Sequence, residues 1–224
     1  MKRSDRTQAA ILDAAEQLFA LHGHENTSMR QITAQASVNL SAVNYHFGSK
    51  DGLTQAVFQR RLNAINRERL EKLAHYRQLA GTGPLKASQV VDAFFGPLIR
   101  LAGEGPNRSF IPLPGGDRPA PQDFIQSICW DEQVAIFLPF KQALLESLPS
   151  VPEEEIIWRF HFMLGATSYA LMGTQSLRRA LHLPLNDSQD SDQQLQERLM
   201  SFLLGGLRAP LPESSTTPRP LSCT

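Results

Sequence analysis

The stretch Ala36-Ser37-Val38-Asn39-Leu40-Ser41-Ala42-Val43-Asn44-Tyr45-His46-Phe47-Gly48-Ser49-Lys50 decides how the whole chain is read. Asn39 stands where its side-chain oxygen can accept from an orphaned backbone N–H of a following turn, so it is a plausible N-cap for a short helix running to Phe47. Val38, Val43 and Phe47 then turn inward. Leu40, Ser41 and Asn44 lie at or near the exposed start of that helix. A helix that fits the B-DNA major groove needs short polar groups there to reach base edges, with longer polar or cationic groups at its flanks. Asn44 can make a bidentate contact to adenine, and Leu40 can press on a thymine methyl. Tyr45, His46 and Lys50 are placed for the sugar-phosphate backbone.

Upstream, Thr27 or Ser28 can cap another short helix whose inward positions are Met29, Ile32 and Ala36, and the four residues Ser37 to Leu40 connect it to the next. Between Asp5 and His22 the apolar residues Ile11, Ala14, Ala15, Leu18 and Phe19 fall at one-faced helical spacing, and Gly23 follows where a left-handed cap is favoured. Three short helices with a tight turn before the last make a helix-turn-helix.

Downstream, Ser49 can cap a long helix from Lys50 to about Leu79, ended by Ala80-Gly81-Thr82-Gly83-Pro84. Further helices are expected at about Lys86 to Leu101, Pro121 to Cys129, Glu132 to Leu148, Pro152 to His182 and Ser191 to Arg208, with a Gly/Pro-rich loop from Gly103 to Pro121. No segment alternates like a strand, so the predicted class is all-α. The chain divides into a DNA-binding head over residues 1–50, a helical ligand-binding and dimerisation body over 51–208, and a tail over 209–224. The tail holds four of the fifteen prolines and is expected to be disordered.

The 224 residues are 42% hydrophobic and 20% charged, with no apolar run long enough to cross a bilayer. The basic N-terminus runs straight into an amphipathic segment rather than an apolar signal core, so a cytoplasmic protein without a membrane partner is expected. Cys129 and Cys223 are far apart and fit no zinc spacing; no metal or cofactor is expected. Net charge is zero, but residues 1–78 hold 11 Lys and Arg against 7 Asp and Glu, and the remainder 11 against 15. The positive charge sits at the end with the helix-turn-helix, as phosphate attraction requires.

Asn44-Tyr45-His46-Phe47-Gly48-Ser49-Lys50, with Thr27-Ser28-Met29-Arg30-Gln31-Ile32 before it, resembles the signature of the TetR family of repressors over roughly residues 7 to 60. The resemblance implies a three-helix head on a helical ligand-binding and dimerising body. It makes Thr27 or Ser28, Tyr45 and Lys50 candidates for phosphate contacts, and Leu40, Ser41 and Asn44 candidates for base reading. Two positions depart from the pattern: Ser37 stands where the family usually has Gly, and His24 where it usually has an aromatic. The string Val43 to Lys50, with Trp158 to Gly165, is similar to the PsrA-like branch, some of whose members respond to long-chain fatty acids or acyl thioesters.

The segment from Ile156 to Gly173 is apolar nearly all round, and a helix without a wet face must be buried on two sides. Paired with the stripe Leu195, Leu199, Phe202, Leu203, Gly206 and Leu207, the 156–173 and 191–208 helices would form a homodimer interface, which would let two recognition helices enter successive major grooves of a DNA operator about 34 Å apart. Phe94, Leu98, Leu101, Phe137, Phe140 and Phe162 are candidate linings of a pocket for a small hydrophobic effector. Arg100 either meets an acidic headgroup there or makes a salt bridge. Arg60, Arg61, Arg67 and Arg69 are expected on the wet face of the long helix. The rival classes are an enzyme, for which no G-x-S-x-G, P-loop or HExxH occurs, and a DNA-binding regulator without a small-molecule ligand.

Overall fold

The computed structural model describes residues 3–103, 131–172, 182 and 190–211. The helix expected at Pro121 to Cys129, nearly all of the Gly103 to Pro121 loop and all but the first residues of the tail lie outside them. Among the described residues there are eight helices and no strand. They are α1 (Arg3–His22), α2 (Met29–Gln35), α3 (Leu40–Phe47), α4 (Lys50–Ala80), α5 (Ala87–Gly103), α6 (Asp131–Ser147), α7 (Glu153–Met172) and α8 (Asp190–Leu207).

The head closes around Ile11, Ala15, Phe19, Ile32 and Val43, with Leu53 and Val57 of α4 filling the same core. Burying a side chain of this size contributes about 1.5–3 kcal/mol, enough to fix α2 and α3, which at seven and eight residues are too short to persist alone. The first two turns of α4 therefore belong to the head, and the two cores do not part at Ser49.

Further along, α4 turns its Leu73 into the second core. That core gathers Phe94 and Phe95 of α5, Phe140 of α6, Ile156, Phe160 and Met163 of α7, and Leu199, Leu203 and Leu207 of α8. Phe94 meets the rings of Phe140 and Phe160 edge-on at 5.0 and 4.6 Å, the geometry aromatic quadrupoles favour. A smaller aliphatic cluster of Ile65, Leu98 and Leu171, flanked by Leu101 and Leu195, lies on the side of the body nearer the head.

Polar ties fix the pitch of α4. Lys72 Nζ lies 2.7 Å from Asp92 Oδ2, and the Tyr76 hydroxyl donates to the same oxygen at 2.6 Å. That hydrogen bond, with burial and the carboxylate's charge, pushes the Tyr76 phenol up to about 12. At the far end of the body Arg159, buried on α7, donates through Nη1 to the Leu207 carbonyl at 2.6 Å while Nε donates to Glu155 at 2.8 Å. The guanidinium thus satisfies a carbonyl that the end of α8 would leave orphaned.

Candidate nucleic-acid interface

The recognition helix is set by its caps. Asn39 Oδ1 accepts from the Ala42 N–H at 2.8 Å, so α3 starts one residue later, at Leu40. It ends at Gly48, whose φ of 72° is a conformation that L side chains rarely adopt. Ser49 then caps α4 by accepting from Gly52 N–H at 3.0 Å. A Cβ at Gly52 would overlap the Phe47 carbonyl oxygen, so glycine there lets the two helices meet at this tight corner.

The turn before α3 is strained. Ser37 has φ 53°, the left-handed region, at a cost of roughly 1 kcal/mol for a residue with a Cβ. The Val38 N–H donates to the Thr33 carbonyl at 3.0 Å, closing the turn that sets α3 against α2. His24 fills the place of an aromatic by packing on Phe19 with ring centroids 5.4 Å apart.

Val43 is fully buried, and the opposite row of α3 is not. Leu40, Ser41, Asn44 and Tyr45 are all exposed, at positions that share one face of the helix. Tyr45 is 83% exposed and stands edge-on to His46 at 5.2 Å. His46 and Lys50 are half-buried at the rim of this face. Ser28 is the exposed N-cap of α2 in a full capping box: its hydroxyl accepts from the Gln31 N–H at 3.3 Å, and the Gln31 side chain accepts from the Ser28 N–H at 2.7 Å.

Thr27 does not belong to this surface. It is 1% exposed, and its hydroxyl donates to the Gly23 carbonyl at 2.8 Å, with the Leu18 carbonyl at 3.3 Å. It locks the end of α1 to the start of α2 and has no reach to a phosphate. The arginines of α4 also differ from expectation. Arg60 and Arg61 bond to Asp13 and Glu16 of α1 and Arg69 is buried in the body, leaving Arg67 on the wet face.

In the body, Phe94, Leu98 and Phe140 are buried, Leu101 packs on the aliphatic cluster, and Phe137 lies 4.3 Å from the Phe160 ring. Phe162 is not among them. It is 63% exposed on the outer face of α7, stacked on Trp158 at 5.8 Å, because Phe160 takes the inward position two residues earlier. Arg100 points away from the apolar core as well, half-exposed and ion-paired with Glu68. Arg69, expected on the wet face, is instead a buried cation. Its Nε donates to the Phe94 carbonyl at 2.8 Å, its Nη1 donates to Asn66 Oδ1 at 2.9 Å, and its Cζ lies 3.9 Å from the centroid of the Phe94 ring. Burial pulls its pKa down from 12.5 to about 9, which leaves it cationic at neutral pH.

No described helix is long and apolar enough to cross a membrane. Residues 11–57 match the model described as bacterial regulatory proteins, tetR family, and residues 92–206 match the tetracyclin repressor-like C-terminal domain. An HTH-type transcriptional repressor of Mycobacterium tuberculosis is 49% identical over 53 residues, 24% of this chain and 28% of the relative. The A-factor receptor protein of Streptomyces griseus is 30% identical over 66 residues, 30% of this chain and 24% of the relative. The chain therefore aligns with only about a quarter of the length of each of these curated relatives. Over most of its length the fold matches that of the fatty acid degradation regulator FadR from Bacillus halodurans, with a TM-score of 0.64 at 14% identity, covering 91% of this chain and 97% of that one. The mycobacterial relative and the Bacillus halodurans neighbour are regulators rather than enzymes. With one matched domain spanning the helix-turn-helix head and the other more than half of the chain, the protein belongs to the TetR family of bacterial transcriptional regulators.

Proposed function

We propose that the chain is a cytoplasmic repressor that grips a near-palindromic DNA operator as a homodimer and releases it when a small apolar or acyl-type effector enters the body. The observation that carries the DNA half is the outward row Leu40, Ser41, Asn44 and Tyr45, exposed on a helix whose other face is spent on the head core. Lys50, Ser28 and half-buried His46 flank it as backbone contacts. Dimerisation is supported by the apolar outer face of α7 and α8, where Trp158, Phe162, Tyr169 and Phe202 are exposed at 52, 63, 64 and 67%. A patch of large aromatic side chains in a soluble chain marks an interaction surface.

The release step is a population shift. α4 is a member of both cores, so a ligand that favours one placement of α4 in the body favours one spacing of the two heads. DNA and effector then oppose each other reciprocally. The effector class is suggested by the likeness of Val43 to Lys50 to the PsrA-like branch, and the Bacillus halodurans neighbour carries a fatty acid role in its name. A mobility-shift assay on the DNA upstream of the protein's own gene, with and without acyl compounds, tests both halves. A retarded complex that acyl compounds dissolve is expected; a complex unaffected by every acyl compound would remove the sensing half, and no complex would remove the DNA half.

A further inference from the structure

Gly96 and Pro97 stand in the interior of α5, and they are the two residue types least suited to a helix. Pro97 has no N–H to give the Ala93 carbonyl, and its ring crowds that turn, so the helical ladder is interrupted between residues 93 and 97. An interrupted ladder is costly here, because Ala93 and Phe94 are buried and their carbonyls have little access to water. The Phe94 carbonyl is met from the neighbouring helix instead. Arg69 Nε of α4 donates to it at 2.8 Å, and Arg69 Nη1 donates to Asn66 Oδ1 at 2.9 Å, which fixes the guanidinium from its own helix. Arg69 is itself 3% exposed, so a charged donor is spent inside the core on a carbonyl at the break.

Two further ties between α4 and α5 bracket the break. Before it, Asp92 takes Lys72 Nζ and the Tyr76 hydroxyl, and Gly96 leaves room for that pair: a Cβ there would lie 2.8 Å from Asp92 Oδ1 and 3.1 Å from Lys72 Nζ. Beyond it, Arg100 pairs with Glu68, both half-exposed. These outer ties are partly solvated and hold weakly, whereas the Arg69 bond is buried. We propose that Gly96-Pro97 is a hinge in α5 and that Arg69 is the clasp that holds it closed against α4. The part of α5 beyond the hinge, residues 98–103, then shifts as a unit, carrying Leu98 and Leu101 of the aliphatic cluster, while Phe94 and Phe95 stay in the aromatic core. The hinge gives the body a way to change shape along α4, the helix that also enters the head, without unpacking the aromatic core. It goes beyond the ligand reading above and stands whether or not an effector exists.

The test is hydrogen exchange of the full chain, read by mass spectrometry over residues 98–103, with α7 as the measure of opening of the whole body. Arg69→Met should speed exchange at 98–103 by about tenfold or more relative to α7, the yield of one buried charge-assisted hydrogen bond. Pro97→Ala returns an N–H to the Ala93 carbonyl and should slow exchange there. Made on that background, Arg69→Met should have no local effect, because the Phe94 carbonyl then takes the Leu98 N–H in an unbroken ladder. No acceleration in the single variant, an equal one in the double variant, or one spread evenly over α5 and α7 overturns the clasp. If Arg69→Met fails to fold by circular dichroism, Pro97→Ala alone decides: slowed exchange at 98–103 supports the hinge, and unchanged or faster exchange overturns it.

Discussion

Arg60 of α4 donates through Nη1 to Asp13 Oδ1 of α1 at 2.6 Å, joining residues 47 apart in sequence. The same guanidinium bonds Glu16, and the neighbouring Arg61 donates through Nε to Glu16 Oε1 at 2.7 Å. Burial alone would lower the Arg60 pKa, but hydrogen bonds and charge attraction from Glu16 and Asp13 outweigh it and hold the group above its ordinary value. Two arginines on two acids thus clamp the first helix of the head to the helix that enters the body. A shift of α4 carries α1 with it.

Glu16→Gln removes the charge that both arginines share and leaves the shape of the side chain intact. The expected loss is about 1 kcal/mol of stability, as for a networked but partly solvated ion pair, read from the urea midpoint. The same variant should show a smaller effect of bound effector on operator affinity, because the clamp adds to the core contacts of Leu53 and Val57 that tie α4 to the head. Unchanged coupling would show that the contact between α1 and α4 is structural only.

Ser37→Gly should raise stability. The left-handed backbone at Ser37 costs roughly 1 kcal/mol, and glycine removes that strain while giving part of it back through a more flexible unfolded chain. A net gain of a few tenths to about 1 kcal/mol in chemical denaturation is the expected result. A loss would mean that the serine side chain contributes something the backbone angle does not reveal.

Phe162→Glu places a charge on the outer face of α7 beside Trp158, where no described residue of the same chain needs the ring for its core. Folding should survive, and association should weaken by about 2 kcal/mol or more if that face is the dimer centre. Sedimentation velocity reads the outcome as a shift toward monomer at micromolar concentration. A variant that stays dimeric would place the interface elsewhere.

Arg69→Met replaces a buried cation with an apolar chain of similar reach. Because burial holds the Arg69 pKa near 9 against 12.5 in the unfolded chain, the unfolded state binds more protons between those values, so stability rises with pH across that window. Below it the cation is a standing cost to folding. At pH 7 the variant is expected to be as stable as the parent or more so, by up to about 4 kcal/mol, in thermal unfolding without effector. A strong destabilisation would show that the bond to the Phe94 carbonyl holds α4 to α5.

Helices with one wet face were legible in the sequence, because periodicity and caps specify them locally: Asn39 and Ser49 cap α3 and α4 as their positions demand, and Gly23 and Gly48 end α1 and α3. The outward row of α3 was legible for the same reason. What periodicity does not carry is the phase of a helix buried on several sides. On α7 both Phe160 and Phe162 fit an apolar seam, and only packing against Phe94 and Phe95 selects the first. α4 changes partners along its length, so its arginines look like a wet stripe although Arg61 and Arg69 are buried. Thr27 shows the other limit: its hydroxyl donates to the Gly23 carbonyl, with that of Leu18 beside it, in a buried place set by the fold of the α1–α2 corner.

If α3 reads DNA through its exposed row, Asn44→Ala separates base reading from backbone attraction. Asn44 is exposed and has no part in the head core, so the variant should fold as the parent does. Affinity for the operator and for random DNA of equal length should be measured at the same salt concentration by fluorescence anisotropy. The operator should be bound more weakly by about 1 to 3 kcal/mol while random DNA is bound as before. Equal losses on both DNAs, or none on either, would contradict it.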